Sequence, residues 1–444
     1  MDDARRVLMD GALAVREDKI AWVGPDRDLP AEFAQWDSLD GSSRVLTPGL
    51  INGHVHITGD PLTRHYTPDN SNAPDIMEKW VLPRYYGHTP EDENISAQFG
   101  ALELLKCGTT TFVEAGTLRH LDAVVDGLSQ TGIRGRVSGW IEGRSHQGKA
   151  QDALDTDTAI RQMEDQVVRY PSGDDRLISA WPILVGHSTN TDAVWQAAKT
   201  IADRDKIRFA AHMSPYDSDP QWFLENTGHR PVEHLADLGV LGENLILTHM
   251  THLDDSEIAI YAKSGAHIAF CPFAALKGAF GVAAHGRYVD LLRLGVNFLL
   301  ATDGYDCDLL GATRLATSLF KDSAQDAAFG SALHGLEMVT CGAARALGLD
   351  DQIGSLEVEK KADFLAFDKR HFQWLPLLSP LDQLHWSSSS ASLLDVWVEG
   401  QQVISDRAST MVDEDWLAHE VQARGEAIIA RADLPFARNW TTIN

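Results

Sequence analysis

Between residues 46 and 304 the chain alternates short apolar segments of strand length with amphipathic segments of helix length. Eight apolar segments follow one another, at 46–56, 109–116, 134–143, 177–188, 207–214, 245–252, 266–273 and 296–304. Strands that are apolar on both faces and separated by helices indicate a parallel sheet covered by helices. Eight such units favour closure, because an eight-stranded interior just fills with side chains. The predicted fold class is therefore α/β, a (β/α)8 TIM-like barrel, with a doubly wound open sheet as the alternative.

Both ends of the chain carry further strand-like segments outside this alternation. Two lie near the start, at 12–15 and 19–24, and GSLEVEKKADFLAFD and LLDVWVEGQQVI lie near the end. Their similar length and turn residues predict that they pair. We therefore expect a small composite β-sandwich domain from residues 1–47 and 356–410, a barrel over 48–355, and a C-terminal helical extension over 411–444.

Composition narrows the class of partner. The chain has 64 acidic and 38 basic residues and a formal net charge of −26, which disfavours nucleic acid and anionic membranes as partners. A small-molecule substrate is expected instead. The four cysteines show no CxxC pairing and predict free thiols in a reducing compartment. No apolar run reaches about 18 residues, so the sequence predicts a cytoplasmic protein.

Metal-ligand residue types stand at the ends of several predicted strands. His54 and His56 close the first barrel strand, and residues two apart on a strand project to the same face. His212, His249 and Asp303 occupy the same relative place on later strands. Active sites of such barrels lie at this end of the strands. Imidazole and carboxylate groups suit zinc, with iron, manganese or cobalt as alternatives. The sequence predicts one divalent metal and leaves a second one open.

Long stretches of the chain match a known family pattern. They are LTPGLINGHVH, IMEKWVLP, ALELLKCGTTTFVE, RPVEHLADLGVLGENLILTHMTHLDDSEIAIYAKSGAHIAFCP, LLATDG and GSLEVEKKADFLAFD. In these stretches the chain resembles the amidohydrolase superfamily, within the branch that holds S-adenosylhomocysteine deaminase and the triazine hydrolases. Hydrolases of phenylureas and thiocarbamates stand near this branch.

The resemblance implies roles for the residues at the strand ends. It implies a metal held by His54, His56, His212 and Asp303, with a water as a further ligand. Asp303 would accept the proton of this water and pass it to the departing group. His249 would orient the attacking group or stabilise the developing oxyanion. The resemblance also implies a homodimer or a larger homo-oligomer.

Three segments depart from the family pattern. Deaminases of this branch carry a Glu three residues after the fifth-strand His, where it serves as a proton shuttle, but this chain has Pro215 there. Where relatives have Ser-Asn after Cys-Pro-x, this chain has Phe273-Ala274-Ala275. After Asp303 the usual polar run is replaced by Gly304-Tyr305-Asp306-Cys307.

Two chemistries are compatible with the loss of this Glu. In the favoured one, water attacks the carbonyl carbon of an amide, urea or carbamate, where no ring nitrogen needs a proton. In the alternative, the enzyme is a deaminase or dechlorinase of an aromatic N-heterocycle, and Glu142, Glu114 or Asp217 supplies the displaced acid. A non-catalytic protein with this fold is a further alternative, against which the complete ligand set argues.

The remaining candidates concern the substrate and a second metal. Trp80 and His187 are expected near the substrate, and Phe273 would add an apolar contact that suits an apolar or aromatic group. Glu142 ends the third strand, where some amidohydrolases place a carboxylate that bridges two metals. It would otherwise pair with Arg144.

Overall fold

The computed structural model describes residues 5–68, 76–144, 155–173, 176–304 and 306–434. Tyr305 and the end of the predicted extension, 435–444, lie outside these ranges. The strands in chain order are β1 Gly11–Arg16, β2 Lys19–Pro25, β3 Arg44–Pro48, β4 Leu50–Val55, β5 Thr109–Glu114, β6 Arg134–Val137, β7 Ile178–Ala180, β8 Ile183–Gly186, β9 Phe209–Met213, β10 Leu245–His249, β11 His267–Phe270, β12 Phe298–Leu300, β13 Phe364–Asp368, β14 Leu393–Val398, β15 Gln401–Ser405 and β16 Ala408–Ser409.

Helices follow most of the barrel strands, and further helices lie near the C-terminus. They are Leu82–Tyr86, Pro90–Lys106, Leu121–Ser129, Thr156–Arg169, Asp192–Asp205, Ser218–Thr227, Pro231–Asp237, Asp255–Ser264, Pro272–Lys277, Val282–His285, Tyr288–Arg293, Leu309–Ala324, Ala332–Glu337, Cys341–Leu347, Pro380–Trp386 and Glu414–Arg431. No helix within the described ranges combines the length and the apolar character needed to cross a membrane.

The central sheet is a closed parallel barrel, which confirms the predicted fold class. Strands β4 to β7 form one parallel run, and β8 to β12 form another. The segments β7 and β8 are separated only by Trp181 and Pro182 and act as one barrel strand. The ring closes where the backbone N–H of Asp303 donates to the carbonyl of His54 at 3.0 Å, next to a parallel bridge between Val55 and Asp303.

Side chains reinforce this closure from inside the barrel. The amide of Asn52 donates to Thr302 Oγ1 at 2.7 Å, and its oxygen accepts from the backbone N–H of Thr302 at 3.2 Å. Both residues are buried. A Cβ at Gly53 would stand 2.6 Å from the side chain of Leu299, so the first and eighth strands approach closely only with glycine here.

The two ends of the chain form one β-sandwich, as predicted. Strand β3 pairs antiparallel with β13 in a five-stranded sheet of order β16-β15-β14-β13-β3. The hairpin β1–β2 packs on this sheet through Ile20, beside the stacked rings of Phe364 and Trp397 at 4.4 Å. The domain bounds themselves stay a prediction.

Two predicted strands are interrupted. The segment 46–56 contains the end of β3 and all of β4, which belong to different sheets. They separate at Gly49, where a Cβ would lie 2.1 Å from Thr110 Oγ1. The segment 177–188 breaks at Trp181-Pro182, because proline has no N–H to donate to a neighbouring strand. The predicted strand 134–143 ends early, at Val137.

The helix Glu414–Arg431 is held to the barrel by two ion pairs. Its residues Arg424 and Arg431 both pair with the buried carboxylate of Asp92, at the start of the helix Pro90–Lys106. At Gly425 a Cβ would lie 2.4 Å from the carbonyl oxygen of Leu62. The helix therefore braces the loop that follows the first barrel strand.

The buried residue His88 makes the stability of the fold depend on pH. Burial lowers the pKa of His88 to about 4, although its bond to the carbonyl of Arg84 acts in the opposite direction. A histidine has a pKa of about 6.5 in an unfolded chain. The pKa of His88 is lower in the folded state than in the unfolded chain. The contribution of neutral His88 to the unfolding free energy is therefore fully present above about pH 6.5 and is lost as the pH falls through about 4.

We expect wild type to lose up to about 3 kcal/mol more unfolding free energy than His88→Gln between pH 7 and pH 4. Urea denaturation at a series of pH values measures this difference. His229→Gln, at an exposed histidine, is the control and should follow wild type. Parallel profiles for wild type and His88→Gln would contradict the prediction.

Candidate active site

Five side chains converge at the carboxyl ends of the barrel strands. His54 lies in β4 with His56 just beyond it, His212 lies in β9, His249 ends β10, and Asp303 follows β12. The ring centroid of His54 is 4.5 Å from that of His212 and 5.9 Å from that of His249. The structure thus brings together all five residues that the sequence singled out at the strand ends.

Two of these imidazoles are held from behind through Nδ1. His212 Nδ1 donates to the carbonyl of Val185 at 2.8 Å, and a carbonyl can only accept. The proton of His212 is therefore on Nδ1, which leaves Nε2 with its lone pair toward the site. His54 Nδ1 lies 3.1 Å from Thr248 Oγ1. His54 Nε2 is buried with no hydrogen-bond partner among the described residues.

His56 is also held through Nδ1, by contacts that extend from Thr117 to Glu114. Its Nδ1 lies 3.0 Å from both Thr117 Oγ1 and the hydroxyl of Tyr85. Thr117 Oγ1 donates to the buried carboxylate of Glu114 at 3.0 Å, so its oxygen is left to accept from His56. His56 Nε2 then points to Asp303 Oδ1, 3.3 Å away. Such outer contacts fix the ring orientation and the tautomer of metal-binding histidines.

Strained backbone conformations position the side chains of His249 and Asp303. His249 has φ 79° and Asp303 has φ 62°, both in the left-handed region that non-glycine residues seldom adopt. Side chains of successive strand residues normally alternate between faces. Because the backbone turns at His249, both Thr248 and His249 contact the cluster. Tyr288 holds the strained turn by donating its hydroxyl to the carbonyl of His249 at 2.8 Å.

The electrostatics keep most of the imidazoles neutral and the carboxylate charged. Burial lowers the pKa of His54 and His212 far below their usual range and that of His249 to about 4. Burial opposes ionisation of Asp303, but its bond to His56 and the surrounding imidazoles outweigh this and lower its pKa. Burial acts against the charge on His56 too, yet its bond to Asp303 raises its pKa.

This donor set fits a divalent metal. Two groups of ligand atoms each lie within 4.8 Å of one another, namely His54–His56–His212 and His54–His249–Asp303. Within these groups, His54 Nε2 and His249 Nδ1 are buried without a hydrogen-bond partner among the described residues, and buried polar atoms rarely lack a partner. Neutral imidazoles and a carboxylate are also the chemistry that zinc and similar ions require.

The other predicted residues lie at different distances from this cluster. His187 joins it, with its ring stacked on that of His212 at 5.5 Å between centroids. Trp80 is buried, with its ring 6.0 Å from that of Tyr66. Glu142 is buried but belongs to neither of the two ligand groups found among the described residues. Phe273 is 38% exposed and lines a second hollow with Gly311 and Arg314. The substrate roles of Trp80, His187 and Phe273 stay predictions.

Several contacts of the site were not singled out from the sequence. The ring of Phe280 stands edge-on to that of His249 at 5.2 Å, and Tyr216 packs against Phe280 at 4.7 Å. Asp219 Oδ2 lies 2.5 Å from His187 Nδ1. The hydroxyls of Thr117 and Thr248 hold two of the histidines. The Thr248-His249 dipeptide gives no signal of this contact, because Thr248 Oγ1 contacts His54 across the barrel.

A cavity of about 500 Å³ adjoins the cluster at His56 and Asp303. Charged side chains line it further out, among them Asp60, Arg64 and Glu103. Arg64 pairs with Glu103, and Asp60 pairs with Arg84 at 2.9 Å. From there the cavity runs along the helix Pro90–Lys106 to Leu393 and Ile404 of the C-terminal sheet.

A closed (β/α)8 barrel with four histidines and an aspartate at its strand ends defines a class of metal-dependent hydrolases. The amidohydrolase family model matches residues 45–403. The chain belongs to the amidohydrolase family. It is thus an enzyme that hydrolyses carbon–nitrogen bonds other than peptide bonds in small molecules, in a family that uses a divalent metal.

Named deaminases are among the proteins to which this chain is similar. It is 28% identical over 430 residues to a 5-methylthioadenosine/S-adenosylhomocysteine deaminase of Syntrophobacter fumaroxidans, covering 95% of this chain and 94% of the relative. A zinc-bound adenosine deaminase from Xanthomonas campestris superposes with a TM-score of 0.86 at 27% identity, covering 96% of this chain and 95% of that one.

A zinc-bound atrazine chlorohydrolase from Arthrobacter aurescens in complex with atraton also superposes with a TM-score of 0.86. The alignment covers 96% of this chain and 97% of that one. At 21% identity this last likeness concerns the fold alone.

Metal binding should be visible as thermal stability. A ligand bound only by the folded state at about 100 times its Kd adds about 2.7 kcal/mol, so chelation should lower Tm by several degrees and zinc should restore it. His54→Ala and His212→Ala should abolish this shift, as followed by differential scanning calorimetry and metal analysis. His252→Ala is the control, since His252 instead contacts the carbonyl of Phe280. A shift that survives in both ligand variants would place the metal elsewhere.

Proposed function

We propose that this chain hydrolyses an amide, urea or carbamate that carries an apolar or aromatic group, with His54, His56, His212 and Asp303 as the metal ligands. Zinc is the favoured ion, and the match of the neutral imidazoles and the carboxylate to its chemistry supports this choice. When bound, the metal lowers the pKa of water toward about 7 and polarises the substrate. A second metal, with Glu142 as its ligand, stays open.

The observation that carries the proposal is Pro215. It follows His212 by three residues, where deaminases of the branch resembled here carry a Glu as a proton shuttle. A proline side chain cannot move a proton. Attack on a carbonyl carbon needs no proton on a ring nitrogen, so this chemistry tolerates the loss.

The candidate replacement acids are largely committed to other contacts. Glu114 accepts hydrogen bonds from the backbone of Gly116 at 2.6 Å and from the hydroxyl of Thr117 at 3.0 Å, behind His56. Asp217 is exposed and accepts from Gln221 at 2.6 Å. Glu142 is buried and stays a candidate.

Within the favoured chemistry, two residues handle the proton and the developing charge. Asp303 is ionised and lies 3.3 Å from His56 and 3.9 Å from His249. It takes the proton of the attacking water and gives it to the leaving nitrogen. His249 stands beside it and stabilises the oxyanion that forms on the carbonyl oxygen. The water adds to the carbon, and the carbon–nitrogen bond breaks to give an acid and an amine.

Aromatic side chains near the site support an apolar or aromatic substrate group. Phe280 contacts the ring of His249, and Tyr216 extends this surface. They offer area for an aryl or alkyl group beside the scissile bond. In this arrangement Phe280 provides the apolar contact nearest the cluster, in addition to the predicted Trp80 and Phe273.

Deamination or dechlorination of an aromatic N-heterocycle is the second candidate. The observation in its favour is the similarity over nearly the whole chain to 5-methylthioadenosine/S-adenosylhomocysteine deaminases.

A homodimer or larger assembly is part of the proposal as well, and the strongly exposed Phe372 and Leu378 support it. The cytoplasmic location stays a prediction.

The substrate class can be decided on a mixed panel. The zinc-loaded enzyme is incubated with anilides, arylureas, carbamates, aminoheterocycles and chloroheterocycles, and products are identified by mass spectrometry. We expect release of an aryl or alkyl amine together with the acid fragment. Replacement of a ring amino group or chlorine by oxygen, with the carbonyl compounds untouched, would favour the second candidate.

Asp303→Asn should lower kcat by about a thousand-fold or more, because the variant cannot carry a proton between water and leaving group. Rates are compared per bound metal, measured on the same samples. Asp255→Asn, on the exposed start of a distant helix, serves as the control and should retain wild-type kcat. A metal-bearing Asp303→Asn enzyme with near wild-type kcat would refute the assigned role.

A further inference from the structure

Tyr216 directly follows the proline that stands in place of the proton-shuttle Glu. It lies after Pro215, in the loop beyond β9. Its ring packs on that of Phe280 at 4.7 Å between centroids, and the ring of Phe280 stands edge-on to His249 at 5.2 Å. Tyr216 is therefore one aromatic ring further from the metal cluster than Phe280.

The backbone of this loop is held in place by the neighbouring strand. Ser214 has φ 51°, in the left-handed region. Its carbonyl accepts from the backbone N–H of Thr251 at 3.0 Å and from that of His252 at 3.3 Å, just after β10. Backbone strain persists only where the surroundings hold it. The fold therefore sets the position of Tyr216.

The ring of Phe280 is held as closely. A Cβ at Gly278 would lie 2.5 Å from this ring, so glycine leaves room for it. The backbone carbonyl of Phe280 lies 2.9 Å from His252 Nε2. Phe280 and Tyr216 are both only partly buried. Together they form an aromatic surface that begins at His249 and ends at a phenol hydroxyl.

The hydroxyl of Tyr216 has hydrogen-bonding capacity to spare. Within the described part of the chain it donates to the carbonyl of Gly278 at 3.5 Å. Hydrogen bonds from a hydroxyl to an oxygen usually measure about 2.5–3.0 Å, so this one is weak. Burial and, to a smaller extent, the charge of Asp303 raise the pKa of Tyr216. The hydroxyl therefore stays protonated and remains a donor.

We propose that the Tyr216 hydroxyl donates a hydrogen bond to an acceptor atom of the substrate, at the far end of an aromatic group that lies along Phe280. This inference rests on the proposed function and narrows its substrate class to aryl amides, ureas and carbamates with an acceptor remote from the scissile bond. The acceptor is neutral, such as an ether oxygen, because the carboxylates of Asp217 and Asp303 repel an anionic group. Tyr216 thus determines specificity, and the proton transfer stays with Asp303.

The kinetic test compares two substrates that differ by an oxygen in place of a methylene. The best aryl substrate of the panel is prepared with a para-methoxy and with a para-ethyl group, which are similar in size. The preference for the methoxy compound in kcat/KM should be about five- to twenty-fold larger in wild type than in Tyr216→Phe. The difference should arise mainly in KM, because the contact is already made in the bound substrate.

Comparing the two ratios removes the electronic effect of the substituents, since this effect on the chemical step is the same in both enzymes. Tyr170→Phe is the matched control. It removes the same atom from a tyrosine at the end of the helix Thr156–Arg169, whose hydroxyl donates to Asp122 at 2.7 Å. This variant should keep the wild-type preference. Metal content is measured for every variant.

Direct binding gives a readout that does not depend on hydrolysis. Isothermal titration calorimetry measures the Kd of para-methoxyaniline and of para-ethylaniline for the zinc-loaded proteins. The Kd ratio should favour the methoxy compound by about five-fold or more in wild type relative to Tyr216→Phe. A role of Tyr216 in packing alone would leave this ratio unchanged, because the phenylalanine keeps the ring.

The outcomes separate the two proposals. If no carbonyl compound is hydrolysed, the proposed function fails, and the Kd ratios still decide the role of the Tyr216 hydroxyl. If carbonyl compounds are hydrolysed but the methoxy preference is equal in wild type and Tyr216→Phe, only the inference about Tyr216 fails. A larger preference in wild type that Tyr170→Phe retains supports it.

Discussion

The hydrogen bond between the N–H of Asp303 and the carbonyl of His54 closes the barrel, and the site depends on it. It joins the first and the last barrel strands. Without this contact the HxH pair and the aspartate would lie at opposite edges of an open sheet. Asn52 and Thr302 lock the same seam with two further bonds. The geometry of the donor set is therefore a property of the closed sheet, and no single loop determines it.

The cluster concentrates polar atoms where burial is costly. Three imidazoles are held neutral by burial. Two buried ring nitrogens, His54 Nε2 and His249 Nδ1, lack partners within the described chain. Groups of this kind destabilise a fold unless a ligand satisfies them. The outward contacts to Val185, Thr117 and Thr248 fix the rings beforehand, so that little side-chain entropy remains to be lost when a metal binds.

The sequence predicted the barrel and the five strand-end residues because both follow from local patterns. Apolar segments identify the strands, and the C-terminal ends of parallel strands meet at one edge. The supporting contacts did not follow, because Thr117, Thr248 and Asp219 act across strands that are distant in the chain. Phe280 belongs to a loop whose path no periodicity describes. The chain passes from one sheet to another at Gly49, but the apolar segment 46–56 has the pattern of a single strand.

The shared sheet of the two chain ends constrains how the protein can be made. Strand β3 pairs with β13, which leaves the ribosome only after the whole barrel has been synthesised. Until then β3 has no partner in that sheet, and an unpaired strand edge invites pairing with another chain. This sheet therefore forms only after the barrel between its strands has been synthesised, and β3 must stay available for pairing until then.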